Sequence, residues 1–280
     1  METDSTMRVY LRQMPKRENE YENNEANTEV PSKAAICNLY PYDRVFNEYC
    51  NQDYIFRCAL KRTILYALDG YNVTTIAYGH SGTGKTHTIF GGSDITKPED
   101  DGMLLKSVAH LFEVIGEEQL EYFVTVSYLD IFNEKIYDLL STINDDTELN
   151  INENMDENDS VVIEDLTVVT INNMPELCRV LKIGDENRVK SSSLENSLSS
   201  QRHSLFYVTV YTKEESVSGD ILLKRGSLIF VDAAASDYST QSDQTNMQSP
   251  EDVNTIHQSL NTFNECMMKL ANGSTDIPYG

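Results

Sequence analysis

Apolar and polar positions along this chain follow two periods, and the elements they predict alternate. Residues 7–10 (MRVY) read as a short strand that ends before Pro15. Residues 16–32 are rich in Glu and Asn and poor in large apolar side chains, which predicts a solvated loop. The segment 42–46 (YDRVF) leads to a helical stretch near 53–69, where Ile55, Cys58, Ala59, Arg62, Leu65 and Tyr66 mix apolar positions at helical spacing before Gly70 and Asn72 end it. Residues 74–78 (TTIAY) are short and β-branched, the composition of a buried strand, and a helix is expected from Thr86. The strongest strand signal is 122–132 (YFVTVSYLDIF), followed by a second acidic loop over 142–160. A strand near 161–171, a helix opening at Pro175 and strands at 205–212 and 227–232 complete the middle of the chain. At the end, Val253, Ile256, Leu260, Phe263, Met267 and Leu270 recur at three- and four-residue steps as one apolar stripe. The stripe is shorter than the roughly three to four heptads a coiled coil needs, so a helix packed on its own domain is expected. Strands alternating with helices predict an α/β fold whose central mixed, mostly parallel sheet carries helices on both faces.

Length and composition narrow this further. A chain of 280 residues can form a single α/β domain, and 40% hydrophobic with 24% charged residues excludes wholesale disorder. The formal net charge of −23 is the unusual quantity. So acidic a protein repels nucleic acid and anionic membranes, which removes both from the expected partners. The five cysteines show no C-x-x-C or Cys/His metal spacing, the pattern of a reduced intracellular protein. No stretch approaches the ~20 apolar residues of a membrane span, and the start Met1-Glu2-Thr3-Asp4 has no signal-peptide character. Membrane insertion is therefore not expected.

The chemistry is concentrated in Gly79-His80-Ser81-Gly82-Thr83-Gly84-Lys85-Thr86, which fits G-x-x-x-x-G-K-[ST] at every fixed position. Glycines let the backbone curl so that successive N–H groups face phosphate oxygens. Lys85 brings a positive charge to the terminal phosphates, Thr86 a hydroxyl for Mg²⁺, and the helix that follows its positive dipole end. A predicted strand before the motif and a helix after it are the context a phosphate-binding loop requires. ATP or ADP with Mg²⁺ is the expected ligand.

The surroundings of this P-loop resemble one family. Residues 77–88 (AYGHSGTGKTHT) are similar to the kinesin motor-domain form A-Y-G-Q-T-x-x-G-K-T-x-T, and 127–140 (SYLDIFNEKIYDLL) to its S-[FY]-x-E-I-Y-N-E-x-[IV]-x-D-L-L. Residues 42–46 resemble its F-D-x-V-F and Ile277-Pro278-Tyr279 its V-P-Y. The matches fall in order across nearly the whole chain, so one domain over 1–280 is expected. The resemblance implies an ATP-driven microtubule motor of the cytoplasm and cytoskeleton. It also implies adenine contacts at Arg12 and Pro15, where Met14 replaces the second arginine of R-x-R-P, and a ring beside the base at His87.

The same comparison exposes departures. The family's first phosphate-sensing switch, N-x-x-S-S-R-S-H, is Asn196-Ser197-Leu198-Ser199-Ser200-Gln201-Arg202-His203. Ser199 and Ser200 hold the positions that orient water and complete the Mg²⁺ shell, but Gln201 takes the arginine's place and Arg202 follows one residue later. The second switch, D-L-A-G-S-E, is Asp232-Ala233-Ala234-Ala235-Ser236-Asp237. Asp232 keeps the Mg²⁺-facing position, Ala235 replaces the glycine whose N–H meets the γ-phosphate, and Asp237 replaces the glutamate that pairs with the switch arginine. Arg202 and Asp237 are left as the pair able to re-form that latch in shifted geometry. Residues 238–250 hold no Lys or Arg, and Gln258 stands where the family's I-N-K-S-L has lysine, so attraction to an acidic microtubule is weakened. Beyond V-P-Y the family continues with a helix, a final strand and a neck, so a sequence that stops at Gly280 is expected to be either a fragment or a protein lacking these elements. Two readings follow: a kinesin-like motor domain with impaired hydrolysis and track binding, or a degenerate, non-motile head kept as a nucleotide-binding or structural module.

Overall fold

A run of β-branched residues sets the P-loop strand, and the rest of the sheet is built outward from it. The computed structural model describes residues 7–14, 42–92, 98–118, 121–141, 148–152, 162–194, 199–215, 221–236 and 250–278. The central sheet has the order β3 (Asn72–Ala77), β10 (Ile221–Asp232), β9 (His203–Glu215), β4 (Glu121–Phe132), β5 (Lys135–Asp138). The short β8 (Val169–Thr170) shares with β5 the edge of β4 that β9 leaves open. Two small pairs stand apart: β1 (Tyr10–Arg12) with β2 (Arg44–Phe46), and β6 (Ile151–Asn152) with β7 (Val162–Ile163).

The mixed sheet flanked by helices matches the expected class, but its expected mostly parallel character needs correcting. Among the described residues of the central sheet, β3 with β10 is the parallel pairing, and the pairings of β10, β5 and β8 with β9 or β4, like that of β9 with β4, are antiparallel. Local connections cause this. Asn133 and Glu134, at φ of 50° and 61°, close β4 onto β5 in a two-residue turn whose left-handed backbone conformation matches the right-handed twist of the paired strands. Strands β9 and β10 follow each other too closely for a crossover helix, so they also run back to back.

Among the described residues six helices surround the sheet: α1 (Gln52–Ala59), α2 (Thr63–Leu68), α3 (Lys85–Ile89), α4 (Met103–Glu118), α5 (Met174–Leu194) and α6 (Pro250–Ala271). The single helix expected near 53–69 is two, because the Thr63 hydroxyl bonds the Leu60 carbonyl at 2.7 Å and turns the chain there. Helix α4 was not among the expectations, yet Met103, Leu104, Val108 and Leu111 on it are all at most 1% exposed. Its buried Leu104, Val108, Leu111 and Ile115 recur at three- and four-residue steps opposite exposed Glu113 and Glu117, so the helical period is present in the sequence. The expected strand over 161–171 reduces to the ends β7 and β8. The backbone of α2 lies directly on β10, where a Cβ at Gly226 would come within 2.0 Å of the Ala67 carbonyl. In α6, Leu260 is buried with Ala234 and the Phe263 ring stacks on Tyr78 at 6.4 Å, as expected of a helix packed on its own domain.

Candidate phosphate and cation site

Parallel pairing of β3 with β10 puts Ala77 beside Asp232, so the P-loop and the acidic strand end emerge together. The loop then turns through Gly82 (φ 69°) and Gly84 (φ 86°), left-handed conformations that a Cβ would oppose, and Gly84 opens α3. Thr83 Oγ1 donates to the His80 carbonyl at 2.8 Å, and Lys85 Nζ donates to the carbonyls of Gly79 and His80 at 2.9 and 2.7 Å. These bonds hold the loop as a ring. The recess it encloses, about 300 Å³, is lined by Ser81, Gly82, Gly84, Lys85, Thr86, Ser200, Asp232 and Ala233. Such a cradle of backbone N–H groups, a lysine and a helix start can hold a chain of phosphates.

Asp232 closes the floor. Its Oδ2 accepts the Thr86 hydroxyl at 2.6 Å and lies 3.8 Å from the Arg188 guanidinium. Its Oδ1 is buried and accepts no hydrogen bond among the described residues. Burial pushes this carboxyl above its ordinary range, while Thr86, Arg188 and Lys85 pull the other way. No cage of three His, Cys, Asp or Glu side chains gathers among the described residues, so a cation here would draw on phosphate and water as well as protein. A hydrated Mg²⁺ with a free buried carboxylate oxygen and the Thr86 and Ser200 side of the recess fits that donor set.

A second group of contacts lies at the far side of the loop. Arg12 Nη1 donates at 2.8 Å to both Gln52 Oε1 and Thr88 Oγ1, and Gln52 Nε2 donates to the His87 carbonyl at 2.5 Å. Burial lowers the pKa of Arg12 and of His87, and the Arg12 charge lowers His87 further. Sequence reasoning brought in Arg12 and His87 but missed Gln52, 2% exposed, which ties them together. Pro15 lies outside the described residues.

The switch residues divide. Ser199–Gln201 is one 3₁₀ turn; Ser200 reaches the recess, while Gln201 and Arg202 are buried. The Ala235 N–H donates to the Ser200 carbonyl at 2.8 Å and the Ser236 N–H to the Gly79 carbonyl at 3.1 Å. His203 accepts the Ala234 N–H on Nδ1 at 3.1 Å and meets Ser259 of α6 through Nε2 at 2.7 Å. Burial lowers its pKa to about 4. The described contacts of Arg202 are with Asp130, Phe132 and Tyr137, and it is not among the residues lining the recess. Asp237, its expected partner, lies outside the described residues. Asp130 and Arg188 were missed, although an acid inside the apolar run YFVTVSYLDIF signals a buried, compensated charge.

The family model for the kinesin motor domain matches residues 2–280. The chain belongs to the kinesin motor-domain family. It is 32% identical over 247 residues to Kinesin-like protein Klp61F of Drosophila melanogaster and 33% identical over 247 residues to Kinesin-like protein KIF11 of Mus musculus, covering 86% of this chain and 23% of each relative. Kinesin-related protein 13 of Dictyostelium discoideum is 32% identical over 280 residues, with 92% of this chain and 21% of the relative aligned. The chain thus spans less than a quarter of these relatives. The solved structure of a fast kinesin superposes with a TM-score of 0.80 at 28% identity, covering 98% of this chain and 78% of that one. The kinesin assignment agrees with the mixed sheet, the P-loop and the Thr86–Asp232 pair. Among the described residues no helix is long and apolar enough to cross a membrane.

Proposed function

We propose that this kinesin head binds Mg-ATP or Mg-ADP in the recess over the P-loop, turns ATP over slowly or not at all, and meets microtubules weakly. The observation that carries the binding is the buried Asp232 Oδ1 with no hydrogen-bond partner among the described residues, beside a complete P-loop. Bound Mg²⁺ would neutralise phosphate charge there, and Lys85 and Thr86 would orient the phosphates. Slow turnover is supported by Ala235, whose N–H is already given to Ser200 and which stands where the family has glycine. Gln201 in the arginine position supplies no charge to a latch, and one lost transition-state donor costs on the order of 10²–10³ in rate. The charge of −23 supports weak or repulsive long-range interaction with an acidic track, and so only weak association with the cytoskeleton.

The same engaged amide favours a second reading, a non-motile head used as a nucleotide-dependent binding module. Steady-state phosphate release with and without taxol-stabilised microtubules tests both, alongside co-sedimentation at low salt and titration with a fluorescent ADP. Stoichiometric binding with little release is the expected result. Release at ordinary motor rates, or tight nucleotide-dependent co-sedimentation, would contradict the proposal.

A further inference from the structure

Arg202 stands one position beyond the arginine of the family pattern, and that shift sends it into the core. It is 1% exposed, and its guanidinium lies over the Phe132 ring at 4.7 Å and the Tyr137 ring at 5.6 Å. Its Nη1 is 3.7 Å from Asp130 Oδ2, the oxygen that also lies 3.7 Å from Arg188 Nε. The other oxygen, Oδ1, accepts the Ser204 hydroxyl. Asp130 on β4 therefore receives groups from α5, from the start of β9 and from the switch I turn. Its 0% exposure leaves no water to replace any of them.

Charge decides how firmly Arg202 is held. Asp130 and Asp232 are two buried carboxylates, and Arg188 is within ion-pair distance of both. Arg188 is shared between them and Lys85 also acts on Asp232, so Arg202 is the cation that Asp130 does not share with Asp232. Moving Arg202 out would leave Asp130 and Asp232 to share Arg188 in a low-dielectric interior, an expensive way to break a buried pair. The residues just before Arg202 carry the consequence. Ser200, two positions earlier, gives its carbonyl to the Ala235 N–H at 2.8 Å, and Ser236 beside it bonds the Gly79 carbonyl at 3.1 Å. A continuous path thus runs from β4 through Arg202 to switch I, switch II and the P-loop, and no bond in it requires a phosphate.

We propose that Arg202 is a nucleotide-independent anchor, a positioning residue that pins the turn Ser199–Gln201 to β4 and holds the Ala235 amide on Ser200. In a head that senses phosphate through these loops, such an anchor uncouples their position from the nucleotide. Its nucleotide-dependent part rests on the function proposed above.

Hydrogen exchange read by mass spectrometry on peptides covering 199–204 and 232–236 tests it in the parent, Arg202→Gln and Arg202→Lys, each without nucleotide and with Mg-ADP. The parent peptides should be protected equally in both conditions, within about twofold, once the ligand's effect on the whole fold is divided out on the peptide covering 103–118. Without nucleotide, Arg202→Gln should lose protection on the order of 10²-fold, while Arg202→Lys, which keeps the charge, should stay within about tenfold of the parent. Parental protection in Arg202→Gln overturns the proposal. So does a change beyond about tenfold in the parent on adding Mg-ADP, a comparison that decides alone if Arg202→Gln does not fold. A parallel fluorescent-ADP titration separates the two proposals: absence of binding refutes the nucleotide site, while the nucleotide-free comparison still judges the anchor.

Discussion

Replacing Asp232 by Asn separates the two roles of that carboxylate, one in the fold and one in cation binding. Asp232 is 3% exposed, and burial raises its pKa. A carboxyl with a raised folded pKa takes up protons more readily folded than unfolded, so above its unfolded pKa the ionised form costs stability. Asn keeps an oxygen for the Thr86 hydroxyl, and Arg188 keeps Asp130 at 3.7 Å. The variant without ligand should therefore stay within about 1 kcal/mol of the parent, or roughly 2–4 °C for a chain of this size class. Ligand binding behaves differently. A ligand at about 100 to 1,000 times its Kd stabilises by about 2.7–4.1 kcal/mol, worth roughly 5–15 °C. The Mg²⁺-dependent part of that gain requires the charged Oδ1 that accepts no hydrogen bond among the described residues. Thermal unfolding of both proteins, with ADP in Mg²⁺ or in EDTA, measures each part. The parent should gain with Mg-ADP and lose most of the gain in EDTA, whereas Asp232→Asn should show little difference between the two. A Mg²⁺-dependent gain preserved in the variant would refute cation binding at Asp232. A ligand-free loss above about 10 °C would show that the carboxylate serves mainly to hold Arg188.

Three further outcomes follow from single contacts. His203 has its pKa lowered from 6.5 to about 4, so the unfolded chain takes up a proton first as pH falls through that window; at about 1.36 kcal/mol per unit the fold loses about 3 kcal/mol between pH 6.5 and 4. Urea midpoints of the parent against His203→Asn over that range isolate this slope, and parallel curves would contradict it. Ala235→Gly removes the Cβ beside the Ser200 contact and should raise phosphate release by up to on the order of 10², with an unchanged rate placing the defect at Gln201 instead. Gly226→Ala brings a Cβ within 2.0 Å of the Ala67 carbonyl and 2.9 Å of the Tyr71 carbonyl, and should cost roughly 2–3 kcal/mol by urea denaturation; a loss under about 0.5 kcal/mol would mean that α2 is not seated on β10 as described.

What the sequence could and could not disclose depends on whether a residue's partner lies nearby in the chain. The P-loop was legible because its chemistry is local: glycines, Lys85 and Thr86 act through bonds within the loop and the first turn of α3. Asp232 was legible because a strand end is a recognisable place, and parallel pairing carried it to Thr86. Gln52 was not, since nothing about a glutamine opening α1 announces contacts with Arg12, 40 residues before it, and His87, 35 after it. Helix α4 was legible, since Leu104, Val108, Leu111 and Ile115 recur at helical steps, and it was passed over without a physical reason. The sheet's antiparallel character had a local signal in the Asn133-Glu134 turn, which the alternation of strands and helices outweighed. Arg202 is the instructive case. Family comparison makes it a displaced latch residue, because a motif records order along the chain and carries no direction for a side chain. A shift of one position where the chain enters a strand turns a side chain to the opposite face. The buried acid in YFVTVSYLDIF gave the other half of that pair, an uncompensated charge in an apolar strand that had to find a cation. Read together, the misplaced arginine and the misplaced acid predict each other, which neither does alone.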